Sequence, residues 1–158
     1  MGAPLASPAQ GVGWLLTQRG VGTTGTPTGS EWLIRIGWMP DQPDEIIALY
    51  DSGGFNPNTK WLLDFVTVQA IIRGSVHGYP TAYAKAQAVK DALLGLDPQA
   101  IGDGADQVWW SGVTMLADIA FVKNDDKNRP LFSINFRILQ ERPPNALTNR
   151  QALDDPGP

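Results

Sequence analysis

Between Ile46 and Leu96 the chain reads strand, glycine turn, strand, helix, a succession that commits it to a sheet with a helix laid on one face. IIALYDSGG ends in Gly53 and Gly54, TVQAIIRG follows, and the alanine-rich AYAKAQAVKDAL comes after a short turn. From Phe65 to Arg73, Val66, Val68, Ala70 and Ile72 alternate with Thr67, Gln69, Ile71 and Arg73, the period of a strand with one buried face. The mixed second face predicts partial exposure or contact with a partner. Pro80 suits the first turn of a helix. Ala82, Ala86, Val89 and Leu93 then form a stripe at helical spacing, and their small leading residues let the helix lie close to the sheet. Gly95 is placed to end it.

Similar patterns flank this centre. Pro8 to Arg19, with Val12, Leu15 and Leu16, predicts a short helix closed by Gly20. GVGTTGTPTGS is rich in Gly, Thr and Pro and reads as a flexible connector. From Glu31 to Met39, Trp32, Ile34, Ile36 and Trp38 fall on one side, with Arg35 and Gly37 on the other. This strand is expected to pair with Ile46–Asp51 through a hairpin-like turn, MPDQPDE. Gln107 to Lys123 reads as one long strand with large apolar groups on both faces, and Gly112 allows a bulge. After the turn NDDKNRP, Leu131 to Leu139 alternates again. Phe132, Ile134, Phe136 and Ile138 face inward. The expected fold is α+β: a twisted, mostly antiparallel sheet of about five strands, one main helix packed on it and a short N-terminal helix.

A chain of 158 residues suits one domain. Residues 1–141 are expected to form it, and 142–158 a polar, proline-bearing tail that stays mobile unless a neighbouring subunit captures it. No apolar run reaches the roughly 20 residues of a membrane span. The opening residues lack the pattern of a signal peptide, and there is no Cys, so a disulfide framework is excluded and a reducing cytoplasm is the expected place of synthesis. A net charge of -4 argues against gripping a phosphate backbone, because that affinity comes from Lys and Arg releasing counterions.

Chemistry finds little support. Gly20, Gly22 and Gly25 have dinucleotide spacing, but such a motif needs a strand before it and a helix after it, the reverse of the order here. Asp125 with Asp126, and Asp103 with Asp106, offer hard oxygen ligands without the alternation of a calcium loop. Asp118, if it points inward, needs a basic partner, and Arg73, Arg129 and Arg137 are candidates. His77 has no nucleophile or orienting group beside it and reads as a surface turn residue. Trp109 and Trp110 are adjacent in a strand, so they must point to opposite faces. Only one can enter this domain's own core; the other either covers the helix or the N-terminal segment, or anchors a subunit contact.

The runs IALYDSGG, TVQAIIRG, AYAKAQAVKDALLGL, IAFVKNDDKNRP and FSINFRI, in that order between Glu31 and Gln140, resemble the tail terminator family of tailed bacteriophages, also grouped with phage minor capsid proteins. One departure is Val66, where such proteins often carry proline before TVQ. The resemblance implies a structural virion protein without cofactor, metal or catalytic site. It further implies a six-membered ring at the head-proximal end of the tail, which stops tube polymerisation and joins tail to neck. Its partners would be other copies, the tail tube protein and the neck stopper or adaptor, with genomic DNA passing through the lumen unbound and no membrane involved. Synthesis would be in the host cytoplasm and the final place in the virion. The loop Ser52–Asp64, Arg73 and the turn Asn124–Arg129 are expected at contacts, so the candidate interface residues are Asp51, Gly53, Gly54, Asn56, Lys60, Arg73, Trp109, Trp110, Asp125, Asp126 and Arg129. A neck stopper, adaptor or minor capsid component is the alternative within the same class. From another class, a small metal- or ligand-binding accessory enzyme is the remote one.

Overall fold

The computed structural model describes residues 6–104 and 107–153; residues 1–5, 105–106 (with the candidate ligand Asp106) and 154–158 lie outside the described residues. Ser7 opens the first helix, α1 (Pro8–Gln18). Its hydroxyl accepts from the Gln10 N–H while the Gln10 side chain accepts from the Ser7 N–H, and Pro8 sits where a missing N–H costs nothing. Gly20, at φ +72°, turns the chain off the helix in the left-handed conformation. The second helix, α2 (Tyr79–Leu93), buries the predicted stripe completely: Ala82, Ala86, Val89 and Leu93 are all inaccessible.

Among the described residues seven strands form one sheet: β1 (Leu33–Ile36), β2 (Ile46–Gly54), β3 (Leu63–Arg73), β4 (Gln99–Ile101), β5 (Val108–Met115), β6 (Ala120–Asn124) and β7 (Pro130–Glu141). Their order is β1-β2-β3-β7-β5-β4, with β6 also paired to β7. The fold is therefore α+β, as expected, with more strands than the five anticipated. Both helices pack on one face. There Leu15, Leu16, Ile47, Leu49, Val68, Ile72, Phe132 and Phe136 close the main core. A smaller cluster of Leu33, Ile46 and Ala48, with Met39, Tyr50 and Ile71 packed against it, sits apart.

The expected hairpin between β1 and β2 is a parallel pair, with Leu33 beside Ile46 and Ile36 beside Leu49. Alternation fixes which side chains share a face but carries no strand direction. A four-residue β1 needs only a short return path, and residues 37–45 supply it.

The predicted long strand from Gln107 is two strands. A bulge between Trp110 and Gly112 shifts the phase, so Val108 and Trp110 face the core before it and Val113 after it. This explains why both faces looked apolar. Between Met115, opposite Phe136, and Ala120, opposite Ser133, the chain then takes four residues against two of β7. That irregularity separates β5 from β6.

Two segments read as loose are held. In the connector, the Thr23 N–H donates to the Trp32 carbonyl and the Ile34 N–H to the Thr23 carbonyl, while Lys85 Nζ reaches the Val21 carbonyl at 2.9 Å. In the C-terminal segment, Arg150 binds the Asp64 carboxylate at 2.8 Å and the carbonyls of Asn58 and Trp61, and Gln151 bridges to Trp61. The expected mobile tail is thus tied to its own subunit as far as Gln151.

Candidate functional site

Two buried arginines at neighbouring strand ends organise one corner of the molecule. Arg73 ends β3 and is 3% exposed. Its Nε donates to the Asp44 carbonyl at 2.9 Å, and one terminal nitrogen lies within bonding distance of the carbonyls of Pro40, Asp41 and Pro43, at 2.8, 3.1 and 2.7 Å. Arg129 immediately precedes β7. It donates to the Asp41 carbonyl at 2.7 Å, to the carboxylates of Asp41 and Asp44 at 3.0 Å each, and to Asp125 at 2.8 Å. A planar guanidinium with five donors suits such a cluster of acceptors; an ammonium would leave several unmet.

The loop 37–45 is thus clamped from beneath by β3 and β7. The facing turn is fixed by Asp125, whose Oδ1 accepts the backbone N–H groups of Lys127 and Arg129, with Asn128 at φ +59°. His77 serves this turn, its N–H donating to the Asn128 carbonyl.

Charge is nearly balanced here, and the protonation equilibria reflect it. Hydrogen bonds from Lys127 and then Arg129 hold Asp41 below the ordinary carboxylate value. For Asp125 burial pushes upward, but the Arg129 N–H, its guanidinium and the Lys127 N–H outweigh it, and the group sits low. Burial pulls Arg129 down, yet bonds to Asp44, Asp125 and Asp41 leave it raised. Arg73 is lowered, by burial first and then by Arg129 nearby.

What this corner presents outward is Trp38, 55% exposed, with the Arg35 guanidinium 5.9 Å from its ring centre, and the exposed side chains of Asp126 and Lys127. Arg73, Arg129 and Asp125, singled out from sequence as contact residues, are brought together. They face inward and act as positioning residues for the loop. Asp41 and Asp44, which complete the clamp, lie in the turn MPDQPDE; an acid directly after each of two prolines, with two arginines in later turn and strand-end positions, is the available signal.

The remaining candidates lie elsewhere. Asp51 accepts the Ala9 N–H at 2.8 Å and so holds the start of α1. Gly54, at φ +135°, has no room for a side chain, since a Cβ would meet the Phe65 carbonyl oxygen at 2.0 Å. Gly53 and Asn56 are exposed, and Lys60 lies over the Trp61 ring at 4.7 Å. At the opposite edge of the sheet Trp110 is buried in the core while Trp109 is 41% exposed, lining an open cavity of about 280 Å³.

Several of the residues weighed for chemistry have structural employment, while Asp103 and Asp126 are exposed. Asp118 points outward and pairs with Lys90 at 2.9 Å, in place of the three arginines proposed for it. Asp125 faces Arg129. Gly20 ends a helix and Gly22 packs against Trp32 and Ile34, in a context opposite to that of a phosphate loop. Among the described residues no three His, Cys, Asp or Glu side chains converge as metal ligands, and no helix is long and apolar enough to cross a membrane. A family model described as bacteriophage tail terminator protein matches residues 15–142. No curated protein matches the chain.

Proposed function

The chain belongs to the bacteriophage tail terminator family, a structural component of the phage tail, and from that premise we propose how its surfaces are used. Copies assemble into a closed six-membered ring on the last layer of the tail tube at its head-proximal end. One face of the ring meets the tube protein and stops polymerisation, and the other receives the neck stopper or adaptor. Genomic DNA passes through the lumen without specific binding, which accords with a net charge of -4. Synthesis in the host cytoplasm precedes incorporation into the virion.

The observation that carries this reading is the family match over most of the folded chain. The corner described above supports it physically. Two buried arginines hold a loop rigid while an aromatic side chain stands exposed on it, a construction suited to shape recognition. Residues 1–141 act as one assembly unit, with 142–158 as an appended segment. The loop Ser52–Asp64, Trp109 and the turn Asn124–Arg129 lie at contacts with other copies or with adjoining layers. Trp110 belongs to the core behind that surface.

Native mass spectrometry of the purified protein is expected to show six subunits per particle at high concentration. A species that stays monomeric at every concentration contradicts the ring.

A further inference from the structure

We propose that Trp38 of one subunit enters the Trp109 cavity of the next copy, so that the ring contact is a knob in a hole repeated head to tail. This rests on the ring reading above and names the residues that carry it.

The knob is preformed. Trp38 stands one residue beyond the end of β1, after Gly37. On one side of it the Gly37 N–H donates to the Leu49 carbonyl at 2.8 Å, and on the other the arginine clamp takes hold from Pro40 onward. Its indole is more than half exposed, although Trp is among the residues that gain most from burial. Because its backbone is already fixed, docking costs little further ordering.

The hole has matching chemistry. Leu62, Ala100, Val108, Trp109, Pro143 and Pro144 supply the apolar part of the lining of a cavity of about 280 Å³, which Gln107, Glu141 and Arg142 complete. Glu141 and Arg142 both stand in its lining, and among the described residues the Glu141 carboxylate accepts only from the Ser111 hydroxyl. Arg35, which travels with Trp38, donates to the carbonyls of Thr24 and Ile34 and forms no ion pair among the described residues. Docking the indole brings this cation towards that carboxylate.

Placement selects the symmetry. Trp38 lies at the β1 end of the sheet order, and the cavity lies towards the β4 end, where residues of β4, β5 and the last position of β7 line it. A knob and a hole at opposite edges make a heterologous contact, the kind that passes from copy to copy and closes as a ring when the rotation permits.

The test uses two variants of the full chain. Trp38→Ala removes the knob and keeps the hole; Ala152→Trp fills the hole, which Ala152 also lines, and keeps the knob. Neither position is buried, and unchanged thermal midpoints confirm folding. In sedimentation velocity at the highest soluble concentration, each variant alone is expected to be monomeric, its contact weakened about 30-fold or more. An equimolar mixture, holding one usable knob and one usable hole, is expected to form dimers and nothing larger. Ring formation by Trp38→Ala, or a mixture that stays monomeric beside a ring-forming parent, overturns the knob and hole and leaves the ring reading intact. A parent that never leaves the monomer overturns both.

Discussion

Trp110→Ala is expected to lower folding stability by about 4 kcal/mol and the thermal midpoint by about 12 °C. Trp110 is 1% exposed, and the indole fills the space over Gly11, where even a Cβ would come within 2.8 Å of its ring, and beside Ile101. Truncation leaves a cavity beneath α1 that a rigid two-layer core cannot collapse. Its buried N–H has no partner among the described residues, so Trp110→Phe forfeits ring volume without orphaning a polar group, and the loss is expected to be roughly half as large. Trp109→Ala, one residue away on the open face, is expected to change stability by less than about 1 kcal/mol. Thermal unfolding of the three variants decides this. Equal losses for Trp109→Ala and Trp110→Ala would contradict the division of labour between them.

The second large effect is expected from Arg129→Met, at about 3 kcal/mol. It removes the cation on which Asp41, Asp44 and Asp125 converge, leaving carboxylates close together and the Asp41 carbonyl short of one donor. Solvent reaches Asp41 and moderates the loss, while Arg73 still holds the backbone. Arg129→Lys is expected to recover little, because one ammonium cannot meet acceptors spread around a planar fork.

Acid works on the same cluster. Asp41 and Asp125 have folded-state values below their unfolded ones, so their contribution is fully present above the unfolded carboxylate value of about 3.9 and disappears as pH falls through the lower folded value. Unfolding midpoints measured from pH 7 to pH 3 should therefore fall at the acid end for the parent chain, and less steeply for Arg129→Met. A parallel acid loss in both would show that the clamp does not set the dependence.

The elements with local grammar were legible in the sequence. α1 and α2 follow from apolar spacing, with Pro8 or Pro80 at the start and Gly20 or Gly95 at the end. β7 alternates without interruption and buries every second residue. Misreadings arose where geometry depends on residues far apart. β1 and β2 share a face pattern that a hairpin or a parallel pair satisfies equally, and the choice is made by the path of residues 37–45, which Arg73 and Arg129 fix from 29 to 88 positions away. β5 and β6 looked continuous because a phase shift at Gly112 makes one buried face imitate two.

The candidate site was legible in its parts but not in its arrangement. Arg73, Asp125 and Arg129 were picked out by their place in the motifs, yet the partners that give them a role, Asp41 and Asp44, sat in a turn whose acids carried no separate signal. Trp38 was assigned to the buried face by alternation. It lies just beyond β1, where the strand has ended at Ile36 and alternation no longer governs.

Cryo-electron microscopy of the virion neck addresses most directly the claim that this chain acts by fitting against copies of itself and adjoining particle components. Density for a single closed ring of this subunit, capping the tube below the neck, is the expected result. Infectious particles whose tube ends at the neck without it would contradict the account.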